Sequence, residues 1–196
     1  MRNLLAYTCL TPVLLIAGHS ALHAEVVVDS KKTAPVQTST AKGSAADDIR
    51  ITDKGSIVPT GGIAVTIDSN NKVTNAGTIQ VSKANGAVAI HANAGVASNI
   101  TNSGKIIVDE DYTPGDGDKD GDLDGPFAQG SGRYGIRVPA GGIFTGNIVN
   151  NGTIEVEGND SAGIAIGSRL SGKFENNGGV KVTGDRRTGI RASDVT

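Results

Sequence analysis

Apolar and polar residues alternate in five short segments of the chain, and these segments align with one another without gaps. They begin at Ile51, Val73, Ile100, Ile148 and Phe174. The second segment reads VTNAGTIQV, with valine, asparagine, glycine, isoleucine and valine at every second position. Side chains two residues apart lie on the same face of a β-strand, whereas a helix repeats every 3.6 residues. The pattern therefore predicts strands rather than helices.

Two further rows of apolar residues lie between the segments. A row here means the equivalent positions of successive repeats, and the five segments are the first row. Each member of the second row begins with a small residue, and each member of the weaker third row is one apolar residue four positions before the next segment. The second row comprises residues 62–65, 87–90, 135–138, 163–166 and 189–192, and the third comprises Val96, Phe144 and Leu170. Successive segments begin 22, 27, 48 and 26 residues apart. Each repeat is therefore predicted to carry three short strands.

The repeat length and the strand count predict an all-β fold, a parallel β-helix solenoid of about five three-stranded coils. Each strand of such a fold pairs with its equivalents about 4.8 Å above and below. One coil cannot bury its own apolar face, so the core forms by stacking. Burial contributes about 1.5–3 kcal/mol for each large aliphatic side chain. The predicted internal column consists of Ile57, Ile79, Ile106, Ile154 and Val180.

An Asn-x-Gly pair recurs at the centre of four segments. The asparagines are Asn75, Asn102, Asn150 and Asn176, and the glycines are Gly77, Gly104, Gly152 and Gly178. We predict that the glycines take positive φ at a tight corner. The asparagines are expected to bond to the turn backbone or to stack as an amide ladder. A repeated corner explains this row better than a binding stripe does.

The N-terminal residues are typical of a secretory signal peptide. Arg2 supplies positive charge, and small residues precede a predicted cleavage site after Ala24. The predicted domains are a signal peptide (1–24), a flexible leader (25–48), and β-helix repeats (49–196) with an acidic insertion (109–131). The valines at 26–28 offer an alternative, a capping strand for the repeats. We expect the product to be exported to the periplasm, the cell surface or the medium.

The composition narrows the possible functions. With 28 glycines and 3% aromatic residues the core must be aliphatic, and a net charge of −2 without a basic run argues against nucleic acid as a partner. Cleavage after Ala24 removes Cys9 and leaves His91 as the last histidine, so a Cys/His zinc site or a Ser-His pair is hard to assemble. We interpret His91 as a strand-surface residue. The mature chain has no membrane segment of its own.

The N-x-G-x-I segments, the G-I-x-V rows, the signal peptide and the cysteine-free mature chain resemble the passenger region of bacterial autotransporters, the type V secretion proteins. The resemblance covers residues 49–196. It implies export in an unfolded state and a host or matrix surface, or a glycan, as partner. It also implies that the full-length relative carries a C-terminal outer-membrane β-barrel. We therefore expect this chain to be a fragment or a truncated product of a larger protein.

The acidic insertion is the most distinctive local feature, because residues 109–124 contain eight acidic residues and one lysine, a net charge of −7. Alternate carboxylates followed by Gly121 match the first half of a calcium loop, in which glycine permits the sharp turn. The candidate Ca²⁺ ligands are Asp116, Asp118, Asp120, Asp122 and Asp124. Phe127 stands at the twelfth position, where a bidentate glutamate belongs, so this ligand is missing unless Asp109, Glu110 or Asp111 folds back to replace it. A solvated acidic loop is the alternative interpretation.

Three classes of function are compatible with these residues. We favour a structural or adhesive surface module without enzymatic activity. The first alternative is a carbohydrate-active β-helix enzyme, such as a calcium-dependent lyase, in which Arg133, Arg137 and Arg191 neutralise an acidic sugar. The chain has no tryptophan to form a sugar-stacking platform, which argues against this enzyme. The second alternative is a calcium-binding exported scaffold.

Overall fold

The alternating segments fold as short strands that form three parallel sheets around one aliphatic core. The computed structural model describes residues 25–196, and the signal peptide predicted for residues 1–24 lies outside the described residues. One 3₁₀ helix covers Thr38–Thr40. The strands in chain order are β1 (Val26–Val28), β2 (Lys31–Lys32), β3 (Val36–Gln37), β4 (Ile49–Ile51), β5 (Ser56–Ile57), β6 (Ile63–Ile67), β7 (Val73–Asn75), β8 (Thr78–Ser82), β9 (Val88–Ala92), β10 (Ile100–Asn102), β11 (Lys105–Asp109), β12 (Tyr134–Val138), β13 (Phe144–Thr145), β14 (Ile148–Asn150), β15 (Thr153–Glu157), β16 (Ala162–Ser171), β17 (Phe174–Asn176), β18 (Gly179–Thr183) and β19 (Thr188–Val195).

Every third strand, in most of the chain, joins the same sheet. The first sheet has the order β1-β4-β7-β10-β14-β17, and the second has the order β2-β5-β8-β11-β15-β18. The third sheet runs β3-β6-β9-β12-β16, and β13 and β19 both pair with β16. Neighbouring strands are parallel, as in the ladders β4 to β7 and β8 to β11. The predicted parallel β-helix is confirmed.

The strand registers confirm the alignment of the repeats. Ile100 pairs with Val73 on one side and Ile148 on the other, so the insertion between them lies outside the ladder. Apolar side chains at these positions point inward and are fully buried. The predicted internal column pairs without interruption, in the order Ile57, Ile79, Ile106, Ile154 and Val180.

The solenoid has more coils than the five predicted, because residues 25–48 form a coil of their own. This stretch was expected to be a flexible leader, but it contains β1, β2, β3 and the 3₁₀ helix. Val28 pairs with Ile51 and is buried, so the valines act as the capping strand that the sequence offered as the alternative. The side chain of Asp68 holds the 3₁₀ helix in place by accepting hydrogen bonds from Thr38 and Ser39.

The strands of a repeat are divided differently from the prediction. The Asn-x-Gly pair, or Asp53 and Gly55 in the first segment, splits each segment into two strands, one in the first sheet and one in the second. The second row of apolar residues forms the third sheet. The third row forms no sheet of its own, since Phe144 pairs with Leu170 at the far end of β16. Each complete coil still contributes three strands, which is the predicted number.

The corner between the first two sheets contains a ladder of asparagine amides, as predicted. The Asn75 amide nitrogen donates to the Asn102 side-chain oxygen at 2.7 Å, and Asn102 donates to Asn150 at 2.7 Å. Asn150 donates in turn to Asn176 at 2.8 Å. Asn75, Asn102 and Asn150 are fully buried, so these bonds satisfy their amide groups inside the core, whereas Asn176 at the end of the ladder is exposed.

The corner glycines are required for a different reason from the one predicted. None of the four has positive φ. A Cβ on Gly104 would overlap the carbonyl oxygen of Gly77, and a Cβ on Gly152 would overlap that of Gly104. The backbones of successive coils thus meet at this corner, where only a residue without a side chain fits.

The described part of the chain, residues 25–196, contains no helix that is long and apolar enough to cross a membrane.

Candidate functional site

The acidic insertion projects from the solenoid between β11 and β12. Three of the five predicted ligands, Asp116, Asp118 and Asp120, converge so that one carboxylate oxygen from each lies within 4.8 Å of the others. All three side chains are exposed to solvent. Oxygen ligands in this arrangement suit a hard divalent cation such as Ca²⁺.

Side-chain to backbone hydrogen bonds fold the insertion into a turn. The backbone N–H of Gly121 donates to Asp116 Oδ2 at 3.0 Å, and Gly121 has φ of 102°, which favours glycine. The N–H of Asp120 donates to Asp118 Oδ1 at 3.2 Å, and the N–H of Asp122 donates to Asp120 Oδ1 at 3.1 Å. One oxygen of each converging carboxylate is therefore engaged with the backbone.

The other two predicted ligands lie outside the carboxylate cluster. Asp124 Oδ2 accepts hydrogen bonds from the N–H groups of Gly117 at 2.6 Å and Asp118 at 3.3 Å. This carboxylate closes the turn from the opposite end instead of joining the three converging oxygens. Asp122 is not a member of the cluster of carboxylates that approach one another.

A buried ion pair holds the two ends of the insertion together. Arg133 Nη1 donates to Glu110 Oε2 at 2.9 Å, and the two side chains are 2% and 8% exposed. Arg133 also donates to the carbonyl oxygens of Ala84 at 2.9 Å and Glu157 at 2.7 Å. Since these carbonyls belong to neighbouring coils, the arginine joins the insertion to the solenoid. We call the Glu110–Arg133 pair the clamp.

The backbone completes the clamp on the acidic side. Glu110 accepts hydrogen bonds from the N–H groups of Gln129 at 2.7 Å and Gly130 at 2.8 Å. Burial alone raises the pKa of Glu110, but these two bonds and the Arg133 guanidinium outweigh it and hold the pKa below its ordinary value. The carboxylate is therefore ionised at neutral pH.

The clamp corrects two expectations drawn from the sequence. Arg133 was a candidate for neutralising an acidic sugar, but its side chain is buried and donates from Nε and Nη1 to acceptors within the protein. Glu110 was a candidate to replace the missing twelfth calcium ligand, but both of its oxygens accept backbone or guanidinium hydrogen bonds. The position of these residues at the two ends of the insertion is the sequence signal that could have predicted their pairing.

A groove of about 430 Å³ crosses the outer face of the third sheet. Arg137 of β12 and Arg191 of β19 line it, and Ala165 of β16 lies between them in register. Two strand spacings separate the arginine backbones, about 10 Å. The two arginines that the sequence placed in one row are thus brought to one groove.

Tyr134 extends this surface toward the insertion. The Arg137 guanidinium lies 4.6 Å from the centre of the Tyr134 ring, a cation–π contact that orients both side chains. Tyr134 and Arg191 also line an adjoining depression of about 130 Å³. Its rim contains Arg186, which forms two 2.6 Å hydrogen bonds with the carboxylate of Asp160.

His91 lies in β9, directly beside Arg137 in the register of the third sheet. Its Nδ1 is buried and has no hydrogen-bond partner among residues 25–196. Burial lowers the pKa of His91, and the positive charge of Arg137 lowers it further. The imidazole is therefore neutral at pH 7 and adds no charge to the arginine row.

Comparison with models of protein families gives a match over most of the chain. A family model described as "BigA third pectate lyase-like domain" matches residues 18–194, which is most of the chain. No curated protein and no solved structure matches the chain.

Proposed function

The chain belongs to the family of BigA third pectate lyase-like domains, and we propose that this exported β-helical surface module adheres to a host or matrix surface. An adhesive module needs exposed groups that a rigid core keeps in place. Parallel ladders join every coil to the next and supply such a core. Ordered groups bind with a smaller entropic cost than flexible ones.

The observation that carries this proposal is the clamp. An acidic insertion with no function has no need of a buried anchor. Glu110 and Arg133 are nevertheless withdrawn from water and hydrogen-bonded to three segments of the protein. Burial of a charge pair is costly unless its geometry is complete, as it is here. The clamp fixes the insertion beside the third sheet and so gives the surface a defined shape.

Bead adhesion tests the proposal. Beads coated with residues 25–196 should be retained on fibronectin, collagen, hyaluronan or heparin surfaces more than albumin-coated beads of equal protein density. A preparation unfolded by heat serves as the matched control, since it has the same composition without the solenoid. Retention equal to that of albumin on every surface contradicts the adhesive function.

We further propose that the insertion binds Ca²⁺. The support is the convergence of Asp116, Asp118 and Asp120, whose mutual repulsion a divalent cation relieves. Because the cluster lacks a bidentate glutamate, the expected dissociation constant is at the weak extracellular end, about 10⁻⁴–10⁻³ M. The cation would lock the turn that the clamp holds at its base.

Calorimetric titration of residues 25–196 with CaCl₂ tests this second function. The Asp118→Asn, Asp120→Asn double variant keeps the backbone hydrogen bonds and should lose the calcium response. An Asp29→Asn, Asp53→Asn variant removes the same charge from two exposed sites elsewhere and should respond as the parent does. If all three proteins give equal heat signals with CaCl₂, or if none gives a signal, the insertion is a solvated acidic loop without a calcium site.

We also propose that the chain is the passenger part of a larger autotransporter, exported after cleavage behind Ala24. The support is the parallel solenoid together with a mature chain that has no cysteine. The intact mass of the secreted product should correspond to a chain that begins at Glu25. A product that retains Met1 contradicts export by this signal.

A further inference from the structure

We propose that the groove between Arg137 and Arg191 binds a linear acidic glycan, one that carries carboxylate or sulfate groups at intervals along its chain. The proposal rests on the adhesive function and names the ligand class for it. Four observations carry it: unpaired arginines, their spacing, the small residue between them, and the tyrosine beside them.

The two guanidiniums are available for an external anion. Neither Arg137 nor Arg191 forms an ion pair with a carboxylate of residues 25–196. Most other arginines in this range are already paired, namely Arg50, Arg133, Arg169 and Arg186. A guanidinium presents a planar fork of donors that matches carboxylate and sulfate oxygens.

The spacing of the arginines suits a polymer that carries several acidic groups. About 10 Å separates their backbones, two strand spacings, so each arginine can contact a different acidic group of one chain. A chain with repeated acidic groups can contact both at once, and the second contact is then intramolecular. Parallel pairing holds the two strands at this distance.

The floor of the groove leaves room for such a chain. Ala165 lies between the arginines, where a longer side chain would fill the space. Beyond it Gly167 sits at a register shift in β16, and a Cβ there would meet the backbone N of Ala140 at 2.8 Å. Gly167 thus packs against the neighbouring coil, and the small side chain of Ala165 is what keeps the space between the arginines open.

Tyr134 supplies an apolar surface for a sugar ring at the end of the groove. Its ring is fixed by Arg137 and lines the depression that Arg191 shares. Tyrosine combines an apolar ring with a hydroxyl and so suits a ligand that is apolar on its ring face and polar at its edge.

A glycan fits this site better than nucleic acid does. Nucleic-acid binding proteins neutralise phosphates with about six to ten basic contacts, whereas this groove offers two unpaired arginines.

Binding measurements with immobilised residues 25–196 test the proposal. The probes are polygalacturonate for carboxylates, heparin for sulfates and dextran as a neutral glycan. The protein should bind at least one of the two acidic polymers and not dextran. An Arg137→Gln, Arg191→Gln double variant should bind about tenfold to a hundredfold more weakly, because it loses two charge-assisted contacts. Preference for one polymer identifies the acidic group.

Two control variants separate the groove from general charge and from misfolding. Lys105→Gln, Lys181→Gln removes the same charge from exposed residues of the second sheet and should bind as the parent does. Ala165→Glu keeps both arginines but places a carboxylate between them, so it should abolish binding. Because Ala165 is only 3% exposed, circular dichroism of this variant must show the parent β signal before its binding is compared. The proposed site is overturned if the lysine variant loses as much glycan binding as the double-arginine variant. It is also overturned if either groove variant binds as the parent does, or if the parent binds neither acidic polymer.

The outcome is distinguishable from failure of the adhesive function itself. If coated beads adhere and the double-arginine variant adheres equally well, the groove is not the site and adhesion stands. If parent beads are not retained on any surface although the immobilised parent binds an acidic glycan, adhesion fails and the glycan site stands. Cleavage of polygalacturonate by the parent would replace simple binding with a lyase activity.

Discussion

At the scale of single residues, the distance between coils is set where glycine backbones meet. Gly104 lies against the carbonyl of Gly77 below it, and Gly152 lies against Gly104 in the same way. A side chain at this corner must push the coils apart, which also lengthens the amide hydrogen bonds from Asn75 to Asn102 and from Asn102 to Asn150. Glycine and asparagine at this corner therefore act together.

Gly104→Ala should destabilise the solenoid by about 1–3 kcal/mol, the usual cost of overpacking. Thermal unfolding of residues 25–196, followed by circular dichroism, should shift down by about 2–4 °C per kcal/mol. Gly115→Ala is the matched control, because no atom lies within 4 Å of the added Cβ. An unchanged melting temperature for Gly104→Ala would show that the corner can open without cost.

At the scale of elements, the clamp connects the insertion to three coils through one charged pair. Its stability depends on pH with a definite sign. The pKa of Glu110 is lowered in the folded protein, so the stabilisation is present above the ordinary value of 4.5 and is lost as pH falls through the lower folded pKa. Breaking a buried pair by removing one charge costs about 3–5 kcal/mol.

Glu110→Gln should therefore lower stability at pH 7 by about 3–5 kcal/mol, and this deficit should shrink below pH about 4.5. Urea unfolding of the parent and the variant at several pH values measures it. Glu175→Gln is the control, since that partly exposed glutamate pairs with Lys173 at the surface and its loss should cost little. A deficit that is constant from pH 7 to pH 3 contradicts a clamp that depends on ionised Glu110.

The turn beyond the clamp is a separable element. The N–H of Asp124 donates to the carbonyl of Gly115 at 2.8 Å, so these two residues already adjoin. Deleting residues 116–123 and joining Gly115 to Asp124 should leave the clamp and the solenoid intact. The melting temperature should stay within a few degrees of the parent, while any calcium response disappears. Loss of β circular dichroism would show that the turn supports the fold.

The asparagine ladder and the strand ladders were predictable from the sequence, because the same short pattern of residues occurs in successive repeats. Asn75 and Asn102 occupy equivalent positions when one repeat is aligned with the next. The same alignment places their side chains in adjacent coils, where the two amides form a hydrogen bond. The clamp was not predictable by this route, since Glu110 and Arg133 have no equivalents in the other coils. The role of Gly104 was misjudged, because contact between coils depends on their separation and not on the order of residues.

At the scale of the whole molecule, stability is shared between neighbouring coils. A strand such as β11 has a parallel partner on each side, β8 and β15. The last strand of the second sheet, β18, pairs with β15 alone among the described residues. Val180 of β18 is only partly buried, whereas its partner Ile154 is fully buried. The interaction energy of a coil therefore falls at the end of the stack.

Amide hydrogen exchange should follow this gradient. In a stack with nearest-neighbour contacts, a terminal coil opens by breaking one interface, whereas an internal coil must break two. We expect the amides of β8 and β11 to exchange slowest in residues 25–196, and those of β18 and β19 to exchange fastest among the long strands. Mass spectrometry of exchanged peptides measures this directly.

The Ile154→Asp variant tests the same nearest-neighbour coupling at an internal coil. An unpaired charge in the internal column should raise exchange in the adjoining strands β11 and β18 more than in β8. Uniform protection along the stack, with all peptides exchanging at one rate, would show instead that the solenoid opens only as a single cooperative unit.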